Sequence, residues 1–126
     1  MHATISTQNA PGAIGPYSQA AKIGNLIFVS GQLPIHPQTN EMPESVEDQA
    51  KQSLENVKAI LEAAGSNLKN VVKTIIFLKD MNTFAKVNEV YSSYFEGNYP
   101  ARSTIEVARL PKDALVEIEV TAFIEE

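Results

Sequence analysis

Cysteine is absent from the 126 residues. Its absence removes disulfides, thiolate catalysis by the chain itself and cysteine-based metal sites. Histidine is scarce: His2 falls at the terminus and His36 in a proline-rich stretch, with no His-Glu-x-x-His spacing. A metal site normally needs three or four convergent ligands, so His36 reads as an exposed loop histidine, and neither a metal nor another cofactor is expected. Ser18, Ser30 and Ser103 lack a histidine base or a Gly-x-Ser-x-Gly setting. Gly12-Ala-Ile-Gly15 is neither a phosphate loop nor a dinucleotide fingerprint. Long apolar runs are missing too: Leu26 to Val29 is too short, and Val71 to Leu78 too short and interrupted, to span a bilayer. The opening Met-His-Ala-Thr-Ile has neither the basic region nor the apolar stretch of a secretory signal, so a cytoplasmic location is expected and a membrane partner is not.

What is present suits one α/β domain over residues 1–126, with 44% apolar content to build a modest core. Fifteen acidic residues against ten basic ones give a net charge of -5, which opposes attraction to phosphate backbones and makes a nucleic-acid partner unfavourable. Only two of the basic residues are arginines, Arg102 and Arg109.

Turn chemistry and periodicity predict the elements. A short strand near Thr4–Ser6 precedes the irregular segment Asn9 to Pro16, and Gly24-Asn25 joins strands Ala20–Ile23 and Leu26–Ser30 as a hairpin. Ser45 caps a helix reaching Ala64, with Val46, Ala50, Leu54, Val57, Leu61 and Ala64 on its apolar stripe, Ile60 broadening it and Gly65 as its stop. Val71–Leu78, rich in β-branched residues, reads as an interior strand. A second amphipathic helix runs from Asn82 to about Phe95 through Phe84, Val87 and Tyr91, and strands from Arg102 to about Ala108 and Val116 to about Ile124 close the chain.

This order predicts a mixed sheet with both helices as crossovers on one face. The other face then has no cover from its own chain, although it carries residues such as Phe28, Ile75 or Ile76, Phe77 or Leu78, Ile118 and Ala122, or their alternates according to register. A closed cyclic oligomer is the economical way to bury it.

Strand alternation groups Arg102, Thr104 and Glu106 on one face, and Glu117, Glu119 and Thr121 on one face of the final strand. Treated as neighbours, these two strands offer a polar surface that is either simply wet or part of a cleft between subunits. Arg102 is either a guanidinium fork for a substrate carboxylate or half of a structural or intersubunit ion pair. Glu117 is the group that holds or deprotonates a water, a solvated strand carboxylate, or a partner to Arg102 or Arg109. Asn88 lies beside the buried stripe of its helix, as a tie between helix and sheet or as a pocket contact. Tyr17 and Ser30 have structural alternatives of their own, a tyrosine packed at a subunit edge and a serine closing a strand-end hydrogen bond.

Three blocks, Gly15-Pro-Tyr-Ser-Gln19, Phe28-Val-Ser-Gly-Gln-Leu-Pro34 and Pro100 to Asp113 followed by Val116-Glu-Ile-Glu119, resemble the RidA family, also called the YjgF family, over essentially the full length. The resemblance implies a chorismate-mutase-like α/β fold and a homotrimer whose sheets form a central β-barrel, with sites in the clefts between subunits. It implies hydrolytic deamination of enamine and imine intermediates such as 2-aminoacrylate, 2-iminopropanoate and 2-iminobutanoate to 2-keto acids and ammonia. Pyridoxal-phosphate-dependent dehydratases are the implied suppliers. By the same resemblance Arg102 holds the substrate carboxylate, Glu117 serves the hydrolytic water, and Tyr17, Ser30, Gly31 and Asn88 shape the pocket. Thr104 stands where many active members carry cysteine, which weakens any role for a thiol while leaving its backbone available to substrate. Two other readings are a regulatory module that binds 2-keto acids without efficient turnover, and an endoribonuclease or translation inhibitor.

Overall fold

In the computed structural model, which describes residues 1–125, six strands form one mixed sheet in the order β1-β2-β3-β6-β4-β5. They are β1 (Ala3–Ile5), β2 (Ala20–Ile23), β3 (Leu26–Gln32), β4 (Val71–Leu78), β5 (Ala101–Glu106) and β6 (Val116–Phe123). The helices are α1 (Val46–Ala63) and α2 (Phe84–Ser93). All pairings are antiparallel except β4 with β5. Since β6 runs antiparallel to both β3 and β4, those two are mutually parallel, and α1 and α2 are both crossovers between parallel strands.

The predicted face of α1 is the buried one except at its end: Val46, Ala50, Leu54, Val57, Ile60 and Leu61 pack against α2, β3 and β6, while Ala64 is only partly buried. Each fully buried Leu, Ile or Val contributes about 1.5–3 kcal/mol. Ser45 Oγ accepts the Asp48 amide at 3.1 Å to start this helix. It ends in a Schellman turn, in which Ser66 N–H reaches Leu61 O and Gly65 N–H reaches Glu62 O. Gly65 takes φ +85°, a left-handed conformation that costs glycine little. No helix among the described residues is long and apolar enough to cross a membrane.

The helix-covered side of the sheet holds Ile27, Val29, Ile76, Leu78, Val116, Ile118, Val120 and Ala122. On the other side Phe28 and Ile105 stay exposed, and Ile75 and Phe77 are partly so. The uncovered face expected from topology is therefore present, and the register decides its membership: Ile118 and Ala122 belong to the covered side.

Element ends shift from the sequence reading: β1 lies at Ala3–Ile5, and β3 runs through Gly31 to Gln32 instead of ending at Ser30. Two further shifts bear on the site. The helix expected from Asn82 begins at Phe84, because Asp80 Oδ1 accepts the Asn82 amide and Glu106 Oε2 accepts the Met81 amide, each in a bond that holds Met81–Thr83 as a tight 3₁₀ turn. Strand β5 stops at Glu106, although Val107 N–H still reaches Leu78 O.

A third difference matters more. The last two strands are not neighbours, because β6 inserts between β3 and β4 while β5 lies at the edge beyond β4. The inward residues of β6 are all buried aliphatics, whereas β5 has no buried residue, so the apolar strand takes the interior position.

Buried amides fasten the loops to this frame. Asn56 Nδ2 donates to the carbonyls of Leu33 and Ile35, and Gln49 bridges Pro43 O and the Leu115 amide. Replacing Asn56 with leucine strands both carbonyls it serves. We expect a loss of roughly 1–3 kcal/mol for each group left unpaired, read as a lower urea midpoint with an unchanged slope.

Candidate functional site

The sequence-predicted residues fall into two groups. Arg102, Asn88 and Thr104 lie on the α2 side at the edge of the sheet. Tyr17, Ser30, Gly31 and Glu117 line one cavity with the uncovered face as its floor.

In the first group, Arg102 Nη1 donates to Asn88 Oδ1 at 2.8 Å. The guanidinium carbon sits 4.9 Å from the Tyr91 ring centre and 5.3 Å from that of Phe84, within range of cation–π attraction. Phe84, Asn88 and Tyr91 follow one another at i, i+4 and i+7 on α2, so one helix face makes all three contacts. Among the described residues Arg102 forms no ion pair within its own chain: the pair found there is Arg109 with Asp113 at 3.3 Å, exposed on both sides. Arg102 thus keeps a full charge and most of its five N–H donors without a carboxylate. Two residues along the same face, Thr104 Oγ1 is buried with no hydrogen-bond partner among the described residues.

The second group is built by β3, β6 and the loop before β2. Gln19 shapes that loop: its Oε1 accepts the Thr7 amide at 2.7 Å, while its Nε2 donates to Thr7 O and Pro11 O at 3.0 and 2.8 Å. Tyr17 emerges half-exposed from the loop, and Ser30 Oγ donates to Ser18 O at 2.6 Å, the strand-end bond considered for it. The cavity measures about 790 Å³ and has an apolar wall that includes Ile14, Leu33, Ile35 and Phe77. Glu117 faces it. Burial pushes the Glu117 carboxyl above the usual range, and the neighbouring Glu119 charge pushes it further. Gly31 makes space for this side chain, since a Cβ there would lie 2.8 Å from Glu117 Cδ.

Within one chain the two groups cannot meet. Arg102 pairs with Thr74 and Glu117 with Phe77, and these β4 residues, three apart, point to opposite faces. This corrects the single polar surface expected from adjacent strands, and it removes Arg102 as an ion-pair partner for Glu117 in the same chain. The part that Phe77 and Gln19 take in the cavity, and that of Phe84 and Tyr91 beneath Arg102, is not predicted from the sequence. For the last two, the i, i+4, i+7 spacing about Asn88 was the available signal. No group of three or more His, Asp or Glu among the described residues is placed to hold a metal ion.

Comparison with known proteins bears on the whole chain. Residues 7–124 match the family model described as Endoribonuclease L-PSP. A RutC family protein of Pyrococcus horikoshii is 56% identical over 124 residues, 98% of each chain. The 2-iminobutanoate/2-iminopropanoate deaminase of Escherichia coli is 54% identical over 97% of this chain and 98% of that one. The crystal structure of E. coli TdcF with bound serine superposes with a TM-score of 0.94 at 51% identity, covering 98% and 99% of the two chains.

The Gly31 contact yields a direct test. Gly31→Ala forces the flexible end of Glu117 out of its buried position. The Glu117 carboxyl, followed by ¹³C chemical shift, is expected to titrate closer to the usual carboxylate range, while the folded structure survives. An unshifted titration would mean that Gly31 does not set this environment.

Proposed function

The chain belongs to the RidA family, and on that premise we propose that it hydrolyses small 2-imino acids, among them 2-iminopropanoate and 2-iminobutanoate, to 2-keto acids and ammonia. The observation that carries the reading is Arg102, a preorganised guanidinium held by an amide and two aromatic rings with no carboxylate of its own. Such a fork suits a small carboxylate ligand. The name of the E. coli deaminase and the serine in the TdcF structure agree with a small amino-acid-derived molecule.

The working site forms between subunits. Arg102, Asn88 and Thr104 from one chain face Tyr17, Ser30, Gly31 and Glu117 from the next, in a homotrimer whose uncovered sheet faces enclose a central barrel. Support comes from the opposed faces of the two groups and from the exposed apolar residues Phe28 and Ile105, which a cyclic assembly buries.

Chemistry in this cleft needs little machinery, because a protonated imine carbon is already electrophilic. Arg102 neutralises and orients the carboxylate, which holds the reacting carbon against a water. Glu117, as the carboxylate, takes a proton as that water adds and returns it to the carbinolamine nitrogen. It then takes the hydroxyl proton as the C–N bond breaks to leave the 2-keto acid and ammonia, and loses that proton to solvent. A raised proton affinity suits this exchange. General acid–base assistance of about 10²–10⁴-fold is enough to clear an intermediate that also decays unaided. Enzymes that release enamines in the cytoplasm, the pyridoxal-phosphate-dependent dehydratases, are the matching suppliers. The net charge of -5 disfavours RNA as an alternative substrate.

With an amino-acid oxidase or a dehydratase generating the imino acid in the cuvette, the protein should accelerate release of keto acid and ammonia. Arg102→Ala and Glu117→Gln should each lower turnover to near background without altering the assembly. Co-assembled in equal amounts, the two inactive variants should regain roughly a quarter of the parent activity, since one interface in four then pairs an intact Arg102 with an intact Glu117. No acceleration by the parent over several side chains would end the enzyme reading. Parent activity without regain in the mixture would end the shared-site reading.

The pH profile follows from the sign of the Glu117 shift. Its carboxylate is the active form and its proton affinity is raised, so kcat/KM should fall with acidification at a higher pH than an ordinary carboxylate would dictate. Glu119→Gln removes the second cause of the shift and should move that limb to lower pH. Superimposable profiles for parent and variant would remove Glu119 from the account.

A further inference from the structure

The chemistry proposed above makes no use of Tyr91, yet this buried phenol is fixed on three sides. Its hydroxyl lies 2.8 Å from Thr74 Oγ1 on β4, itself fully buried. Its ring meets Phe95 at a centroid distance of 4.7 Å and a tilt of 41°, and Arg102 lies over it at 4.9 Å. Desolvation by burial raises its proton affinity, so the phenol stays neutral and keeps its bond to Thr74.

We propose that Tyr91 is a positioning residue for Arg102: its ring is the surface on which the guanidinium rests, and its bond to Thr74 pins that surface to the central sheet. The helix alone cannot supply this rigidity, because Arg102 sits on β5, an edge strand with a neighbour on one side only. Tyr91 ties three elements together, since α2 carries it, β4 holds its hydroxyl and the β5 arginine lies against its face. Asn88 takes one Nη1 donor, and the two rings restrain the guanidinium plane. Arginine entropy is thereby spent on folding rather than on ligand capture. The inference rests on Arg102 as a carboxylate anchor for its functional meaning, but the restraint itself can be measured separately.

The full-length assembled protein labelled with ¹⁵N-arginine has only two arginines to resolve, and exposed Arg109 serves as an internal reference. In the parent, the Arg102 Nε–H should exchange with solvent much more slowly than that of Arg109. Tyr91→Leu should speed Arg102 exchange toward the Arg109 rate and weaken pyruvate binding by roughly 2- to 30-fold, the range of a single cation–π contact. KM for an imino acid should rise by a similar factor while kcat changes less. Tyr91→Phe, which keeps the ring, should recover most of the restraint and affinity.

If Tyr91→Leu does not fold, Thr74→Val takes its place. Removing only the hydroxyl partner of Tyr91 should then speed Arg102 exchange by a smaller factor. Unchanged Arg102 exchange in the folded Tyr91→Leu protein, or in Thr74→Val where that is the variant used, overturns the positioning role even if the parent binds pyruvate and turns over imino acids. Loosened Arg102 in a protein whose parent form neither binds pyruvate nor turns over imino acids supports the positioning role and overturns the carboxylate reading.

Discussion

A guanidinium held near a protein core without a counter-charge carries an electrostatic demand that its own chain leaves unmet. Around Arg102 that demand is moderated by one amide oxygen and two aromatic faces, none of which neutralises the charge. Each can orient the fork, however, and orientation is what a small carboxylate requires of its receptor. Much of the remaining architecture serves this group: β4 anchors the helix that supplies the aromatic faces, and the 3₁₀ turn at Met81–Thr83, tied to Glu106 of β5, sets where that helix begins.

Strand alternation imposes the second constraint. Because Arg102 and Glu117 point to opposite sides of one sheet, the anchor and the proton-transfer group of the proposed reaction must come from different copies. In the proposed homotrimer one assembly makes the site and also covers the apolar surface. This also separates the two electrostatic environments: Arg102 remains charged against π faces, while Glu117, beside Glu119 and partly desolvated, is inclined to hold a proton.

The loops that complete the Glu117 cavity depend on buried amides. Gln19, Gln49 and Asn56 satisfy backbone groups that have no partner in a helix or strand, and so confer definite shape on proline-rich segments. Gly31 acts by omission, as its missing side chain leaves room for the Glu117 carboxyl.

Local chemistry made several features legible in the sequence. The stripe and stop of α1, the span of β4 and the hairpin at Gly24-Asn25 depend on neighbours within a few residues, and the resemblance in three blocks singled out Arg102, Glu117, Asn88, Tyr17, Ser30, Gly31 and Thr104. The start of α2 was misplaced because the Met81 amide is taken by Glu106, some 25 residues away along the chain. Strand order was also beyond local reach: β6 lies between β3 and β4 because its inward aliphatics gain most from an interior position, a competition among all strands at once. Alternation along each strand could be read from the sequence, but the face on which each set of residues lay could not. That depended on register with β4, and only the folded sheet decided that Arg102 and Glu117 stand back to back.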